Sequence, residues 1–273
     1  MTERRDYSRF ETIQVREHPN GLHRLTLNRP QQMNAVNALV CSELSAYFLA
    51  LHEDLSVRVV LLDALGKNFC AGLDLSELER ILAAGNGPAA GLRLQRAYSD
   101  LILRMRRCPQ PIIALVQGAA SGAGLALTLA ADVRFASDDA RFNVAMARIG
   151  MTGCDVGISY FLPRAVGTSN AAEMMMGGRF VDAKKALRIG LVSDIAPRDQ
   201  LEALGLAMAE DMLRMSPVGL RLTKDGLNLT QDAPGLDAAI ALEDRQQVLC
   251  IGPYLSEGAA AFIGKRPPNY PDV

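Results

Sequence analysis

The chain has no tryptophan, only 5% aromatic residues and almost no net charge, with 29 Lys and Arg against 30 Asp and Glu. A nucleic-acid surface needs a basic patch and rings on which bases stack, so the composition argues against that partner. The five cysteines, Cys41, Cys70, Cys108, Cys154 and Cys250, are odd in number and lack CxxC spacing, which argues against a disulfide framework or a zinc site. No metal is expected, and a reducing cytoplasm is the expected compartment. The opening MTERRDYSRF is charged and lacks the apolar stretch of a secretion signal, and no uninterrupted apolar run reaches the ~18 residues of a membrane span. Neither export nor a membrane partner is expected. The phosphate-loop pattern GxxxxGK[ST] and an early GxGxxG are absent as well.

What is present is 49% hydrophobic content over 273 residues, enough for one large core or a core with a small appended region. Ile13 to Val15 and Leu22 to Leu27 flank the turn residues Pro19, Asn20 and Gly21, which predicts a hairpin. Val36, Leu39, Val40, Leu44, Tyr47, Phe48 and Leu51 follow helical spacing, and Val57 to Leu62 then reads as a buried β-branched strand. The order repeats. A helix from about Leu92 to Arg107 precedes a strand at Ile112 to Val116, and a helix after Gly124 precedes a strand at Asp132 to Ala136. Such alternation predicts an α/β fold. From about Gln200 only helices are predicted, so residues 1–200 form the expected core and residues 201–273 a helical region with an apolar face too large for a solitary tail. Packing on another copy is the expected outcome.

Two glycine-containing loops follow buried strands, Phe69 to Leu75 (FCAGLDL) and Gln117 to Leu127 (QGAASGAGLAL), and the second runs straight into a helix. Glycine permits tight backbone paths, while a helix N-terminus offers unpaired N–H donors. One such loop is explained well enough by close packing of strand against helix. Two are harder to dismiss in this way.

In these segments the sequence resembles the enoyl-CoA hydratase/isomerase, or crotonase, family. LNRPQQMNAV (Leu27 to Val36) is similar to its LNRPxxxNA segment, FCAGLDL to its first oxyanion loop and Ser121 to Gly124 to its second. LPRAVG (Leu162 to Gly167), EMMMGGRFVDAKKALRIGLV (Glu173 to Val192) and SPVGLRLTK (Ser216 to Lys224) extend the likeness almost to the end of the chain. The resemblance implies a spiral of repeated ββα units, a C-terminal helical trimerisation region, and a homotrimer or hexamer. It implies an acyl-CoA substrate, with no cofactor beyond the coenzyme A that the substrate carries. By position, the backbone N–H groups of Leu73 and Ala123 would hold the thioester oxygen, with Ala71, Gly72 and Gly122 beside them. Met33, Asn34, Ala35 and Val36 would lie near the adenine end of coenzyme A. Phe262, Lys265 and Arg266 would approach it from a neighbouring chain, and Ile81 to Leu92 would line the acyl pocket.

The sequence departs from the family at the two glutamates of its hydratases, which would fall at Ala126 and Met146. Neither Ala nor Met exchanges a proton, so two-glutamate hydration is not available there. Counting back from LPR places Asp155 where dienoyl-CoA isomerases carry a catalytic aspartate and chlorobenzoyl-CoA dehalogenases a nucleophilic one. Asp155 is therefore the candidate proton shuttle, and a cap on the following helix is its competing role. Asp74, Glu77 and Glu79 are expected to serve the helix that starts beside them. His18, His23 and His52 all lie early, which disfavours a Cys154–His pair. A single base suits isomerisation better than hydration. A hydrolase or dehalogenase using Asp155 as nucleophile, and a non-catalytic acyl-CoA-binding oligomer, are the alternatives.

Overall fold

A computed structural model of the chain describes residues 6–77, 79 and 88–270. Strands β1 (Ile13–Glu17) and β2 (Leu22–Leu27) form the predicted hairpin, with Ile13 opposite Leu27. Strand β2 then pairs in parallel with β3 (Val59–Ala64), and β3 with β4 (Ile112–Val116). Segment β5 (Ala119–Ser121) turns away into a second, small sheet, and β6 (Val133–Ser137) returns beside β4. Next, β7 (Arg141–Asn143) joins β5 in the small sheet, which β8 (Val181–Asp182) completes, and β9 (Asp194–Ala196) closes the large one. The two middle turns of the chain, β4–β5 and β6–β7, thus each lay one strand in the six-stranded sheet β1-β2-β3-β4-β6-β9 and one in β5-β7-β8 before helices carry the chain back. Predicted strand ends shift slightly. Val57 is buried but lies outside β3, because the partner strand β2 begins at Leu22, opposite Val59.

The helices between strands are α1 (Ala38–Ala50), α2 (Pro88–Arg107), α3 (Ala123–Ala130), α4 (Ile158–Val166), α5 (Thr168–Gly177) and α6 (Ala183–Arg188). Asn37 starts α1 by accepting the Val40 N–H at 2.9 Å, a cap worth ~1 kcal/mol. Strand β3 opens with four buried apolar residues, Val59 to Leu62, because both faces are covered, as expected of a parallel strand, and its one charge, Asp63, is paired with Arg24 at 2.6 Å. Val60 and Leu62 face the main core with Leu44, Phe48 and Met105, while Val59 and Leu61 face the other side with Ile113, Leu115 and Phe135.

That second face is closed by α7 (Leu201–Leu213), through Leu201 and Ala209. Although only helices follow residue 200, the first of them belongs to the packing of the sheet. Helices α8 (Pro217–Thr230), α9 (Leu236–Leu249) and α10 (Pro253–Ile263) lead away from it. α8 is fastened by the buried Lys224, whose ammonium lies 2.9 Å from Asp132 and donates to the Gln110 carbonyl at 2.8 Å. α9 and α10 instead expose Leu236, Val248, Leu249, Leu255, Phe262 and Ile263. Among the described residues, no helix is long and apolar enough to cross a membrane.

Candidate active site

The loops after β3 and β4 are laced together by their main chains. Phe69 N–H donates to the Gln117 carbonyl at 2.7 Å, Cys70 N–H to Ala119 at 3.0 Å, and Ser121 N–H to Cys70 at 2.9 Å. On the other flank, Val36 N–H donates to the Gly72 carbonyl at 2.7 Å and Asp74 N–H to the Val36 carbonyl at 2.9 Å. Since the groups on either side of Leu73 both face Val36, the Leu73 N–H is directed the opposite way.

Ala123 is the first residue of α3. Gly122 N–H is used by the Asn143 carbonyl at 3.0 Å, and the first helical bond returns from Ala126 N–H to Gly122, so Ala123 N–H is one of the unpaired donors of a helix start. Among the described residues, neither Leu73 N–H nor Ala123 N–H has an acceptor. Both residues line one pocket of about 320 Å³. Two glycines allow the loops to come this close. Gly72 has φ 103°, and a Cβ there would stand 3.0 Å from the Ser121 carbonyl oxygen and 3.8 Å from the Ala123 nitrogen. A Cβ on Gly124 would lie 2.3 Å from the Cys70 carbonyl oxygen. The Cys70 thiol, sealed between the loops, is pushed by burial up to about 12 and is inert at neutral pH.

Asp155 lines the same pocket. Its carboxylate accepts a hydrogen bond from Gln95 Nε2, a side chain of α2. The competing capping role is not the one observed, since Gly157 precedes α4 and the Asp155 carboxylate bonds Gln95 instead of a helix N–H. Between them Val156 has φ 39°, a left-handed conformation that costs a β-branched residue about 1–3 kcal/mol. Ala126 and Met146 also line the pocket, so neither position supplies a carboxyl group. Asp155 is the sole acid, and no Lys, Arg or His appears, among the described lining residues.

Of the other residues singled out in the sequence, Val36, Ala71, Gly72 and Gly122 line the pocket, whereas Met33, Asn34 and Ala35 do not. Asn34 is a brace. Its side chain accepts from Arg29 N–H at 2.8 Å and donates to the Leu65 and Asn68 carbonyls at 2.8 and 2.9 Å, fixing a left-handed residue with φ 54°. Asp74 serves the turn beside it, as expected: it accepts from Ser76 N–H and Oγ and pairs with Arg29 at 2.9 Å, and these contacts, that to Ser76 first, hold its carboxyl below the ordinary range. Phe262 and Lys265, at the end of α10, are exposed and away from this pocket, and Arg266 is paired with Glu257 at 2.7 Å. Of Ile81 to Leu92, residues 81–87 lie outside the described residues, and Gly91 lines the pocket.

Gln95 was not singled out from the sequence. The available signal was a polar residue in the α2 stripe Leu94, Tyr98, Leu101, Ile102, all of which line the pocket. A larger cavity of about 650 Å³ between α2, α4 and α8 shares Ile102 and Val156 with it. That cavity has no such pair of amides, and two of its cations, Arg106 and Lys224, are already paired with Asp132. The two amides and the Asp155 carboxylate lie in the smaller one.

Parallel ββα turns whose first two corners present main-chain amides to an apolar pocket define a crotonase-fold protein. The family model described as Enoyl-CoA hydratase/isomerase matches residues 17–273. The "Probable enoyl-CoA hydratase EchA12" of Mycobacterium tuberculosis is 40% identical over 261 residues, 94% of this chain and 92% of that protein. The 1,2-epoxyphenylacetyl-CoA isomerase of Escherichia coli is 30% identical over 251 residues, 92% of this chain and 95% of that protein. A solved enoyl-CoA hydratase of Mycobacterium smegmatis superposes with a TM-score of 0.88 at 32% identity, covering 95% of this chain and 99% of the other. The chain belongs to the enoyl-CoA hydratase/isomerase family, and it is an enzyme of the lyase or isomerase class.

Proposed function

We propose that the protein shifts a double bond in an acyl-CoA thioester, with Asp155 as the single proton carrier. The observation that carries this is the convergence, in one apolar pocket, of two unpaired main-chain N–H groups and one carboxylate, with Ala126 and Met146 where a second and third acid would stand. Leu73 and Ala123 donate to the thioester oxygen and form an oxyanion hole. Asp155 takes a proton from the α carbon, the C–H electron pair enters the C1–Cα bond, and the carbonyl pair moves onto the oxygen held by the amides. Returning the proton at the γ carbon completes the shift. Each donor to such an oxygen is worth a factor of ~10²–10³ in rate. Addition of water would require a second acid–base group that the described lining does not supply.

The absence of any cation among the described lining residues supports an uncharged, apolar acyl group. Coenzyme A arrives as part of the substrate and needs no further cofactor for this chemistry. Its adenine end lies along the Met33 to Val36 backbone and beside Phe262 and Lys265 of another copy. The exposed apolar side chains of α9 and α10 support a homotrimer or hexamer, and the cytoplasm is the proposed compartment.

The test compares wild type with Asp155→Asn on enoyl-, dienoyl- and 3-hydroxyacyl-CoA substrates, with acyl-CoA binding measured in parallel. Isomerisation by wild type, lost in the variant with binding kept, is the expected result. Full turnover by Asp155→Asn, or hydration as the main wild-type reaction, would overturn the proposal.

A further inference from the structure

We infer that Gln95 is a positioning residue that holds one oxygen of the Asp155 carboxylate, so that the other oxygen alone takes and returns the substrate proton. The inference rests on the reading of Asp155 as the base. Gln95 sits in the pocket-facing stripe of α2 between Leu94 and Tyr98, where every neighbouring position that lines the pocket is apolar or aromatic. Its amide donates to Asp155 Oδ1. No described residue bonds Oδ2, which leaves that atom to meet the substrate.

A proton carrier must be bonded acceptably in two states. An ionised carboxylate only accepts, whereas a protonated one also donates. A glutamine amide suits both, because Oδ1 stays an acceptor whether or not the proton sits on Oδ2, and the same neutral N–H can go on donating to it without moving the backbone. A lysine at the same place would favour only the ionised state. The left-handed Val156 restricts the carboxylate from the backbone side, and Gln95 restricts it from the side-chain end. With both ends held, Oδ2 removes the proton from the α carbon as the C–H pair enters the C1–Cα bond, and the same atom delivers it back to carbon. The proton does not pass to a second group.

Exchange of the α hydrogens of a saturated acyl-CoA with D2O needs only the base and the two amides, so hexanoyl-CoA is a suitable probe. Wild type, Gln95→Leu, Gln95→Glu and Asp155→Asn are compared by mass spectrometry for exchange rate and by calorimetry for hexanoyl-CoA affinity, with melting curves for each. In Gln95→Leu the exchange rate is expected to fall roughly 10- to 100-fold, the cost of a reacting group left misaligned. Its affinity should stay within about twofold, because Gln95 acts through Asp155 and not on the thioester. Gln95→Glu keeps the shape but cannot donate when ionised, and it should exchange slowly at neutral pH even if Gln95→Leu is unstable. Wild-type exchange rates in both variants, or a loss matched by an equal loss of affinity, would reduce Gln95 to pocket wall and overturn the inference. If Asp155→Asn is inactive in that case, the Asp155 reading survives alone. If Asp155→Asn exchanges like wild type, or wild type does not exchange at all, both readings fall together.

Discussion

Replacing Gly124 by alanine adds one methyl group at the point where the two loops are closest. The new Cβ would stand 2.3 Å from the Cys70 carbonyl oxygen and 2.8 Å from Cys70 Cβ, whereas ordinary contact begins at 3.4 Å. The nearest atoms are backbone and the root of a side chain, so no flexible tip can swing aside, and the loops have to part by about 1 Å. That movement pulls on the 2.9 Å bond from Ser121 N–H to the Cys70 carbonyl, the link that sets the spacing of the Leu73 and Ala123 amides. Overpacking of this kind costs about 1–3 kcal/mol, and each kcal/mol lowers Tm by about 2–4 °C in a chain of this size. Displacing one oxyanion donor should lower kcat by ~10²–10³ while acyl-CoA binding, spread over the pocket, changes little. Gly219→Ala is the control. In the first turn of α8 its Cβ would meet nothing closer than 3.5 Å, so stability should stay within about 0.5 kcal/mol of wild type and kcat should not change. Calorimetric melting and steady-state turnover on the same preparations read both effects. A Gly124→Ala enzyme with wild-type Tm and kcat would refute the argument that this close approach sets the amide geometry.

Other consequences can be checked separately. Burial first of all holds the His23 imidazole below its ordinary 6.5, against the opposing pull of Glu17 and Asp54, so the unfolded chain binds a proton before the folded one does. The neutral His23 stabilises the fold fully above pH 6.5 and loses this contribution as pH falls through the lowered folded value; Tm of wild type should therefore drop more steeply below pH 6.5 than that of His23→Gln, and parallel slopes would refute it. Burial raises the thiols of Cys41 and Cys108 to about 11 and that of Cys70 to about 12, so iodoacetamide at neutral pH should label none of the three until urea is added, as peptide mass mapping would reveal. Lys224→Met should lower stability in urea by about 1–3 kcal/mol, because the half-buried Asp132 and the Gln110 carbonyl both lose the Lys224 ammonium; a change below about 0.5 kcal/mol would mean that Arg106 and the Ile112 N–H suffice for Asp132.

The hairpin, α1 to α3 and the strands β3, β4 and β6 were legible because each carries a local period, whereas α4 to α6 and the short strands β5, β7, β8 and β9 were not read from the sequence. Ile112–Val116 reads as a buried strand from its five apolar residues, and the structure ends β4 at the same residues. The extent of β3 was not legible, since a strand begins where its partner begins, and Leu22 and Val59 are far apart in sequence. The motif residues around the two loops pointed to the right corner of the molecule. They gave no hint of Gln95, whose meaning depends on a carboxylate sixty positions later in the chain. Asn34 stands in the segment Leu27 to Val36, yet two hydrogen bonds to residues outside that segment, the Leu65 and Asn68 carbonyls, decide that its side chain is a brace.

Spacing and residue type alone therefore determined the α/β alternation, the family and the loss of carboxyl groups at Ala126 and Met146, because these are properties of neighbours along the chain. Which way the Asp155 carboxylate turns, that two amides share one pocket with it, and that α7 closes the sheet while α9 and α10 stay uncovered were decided only by packing. Those outcomes depend on distances between segments that the covalent chain leaves free, and they are fixed only when the loops, the strained Val156 and the helices are brought against one another.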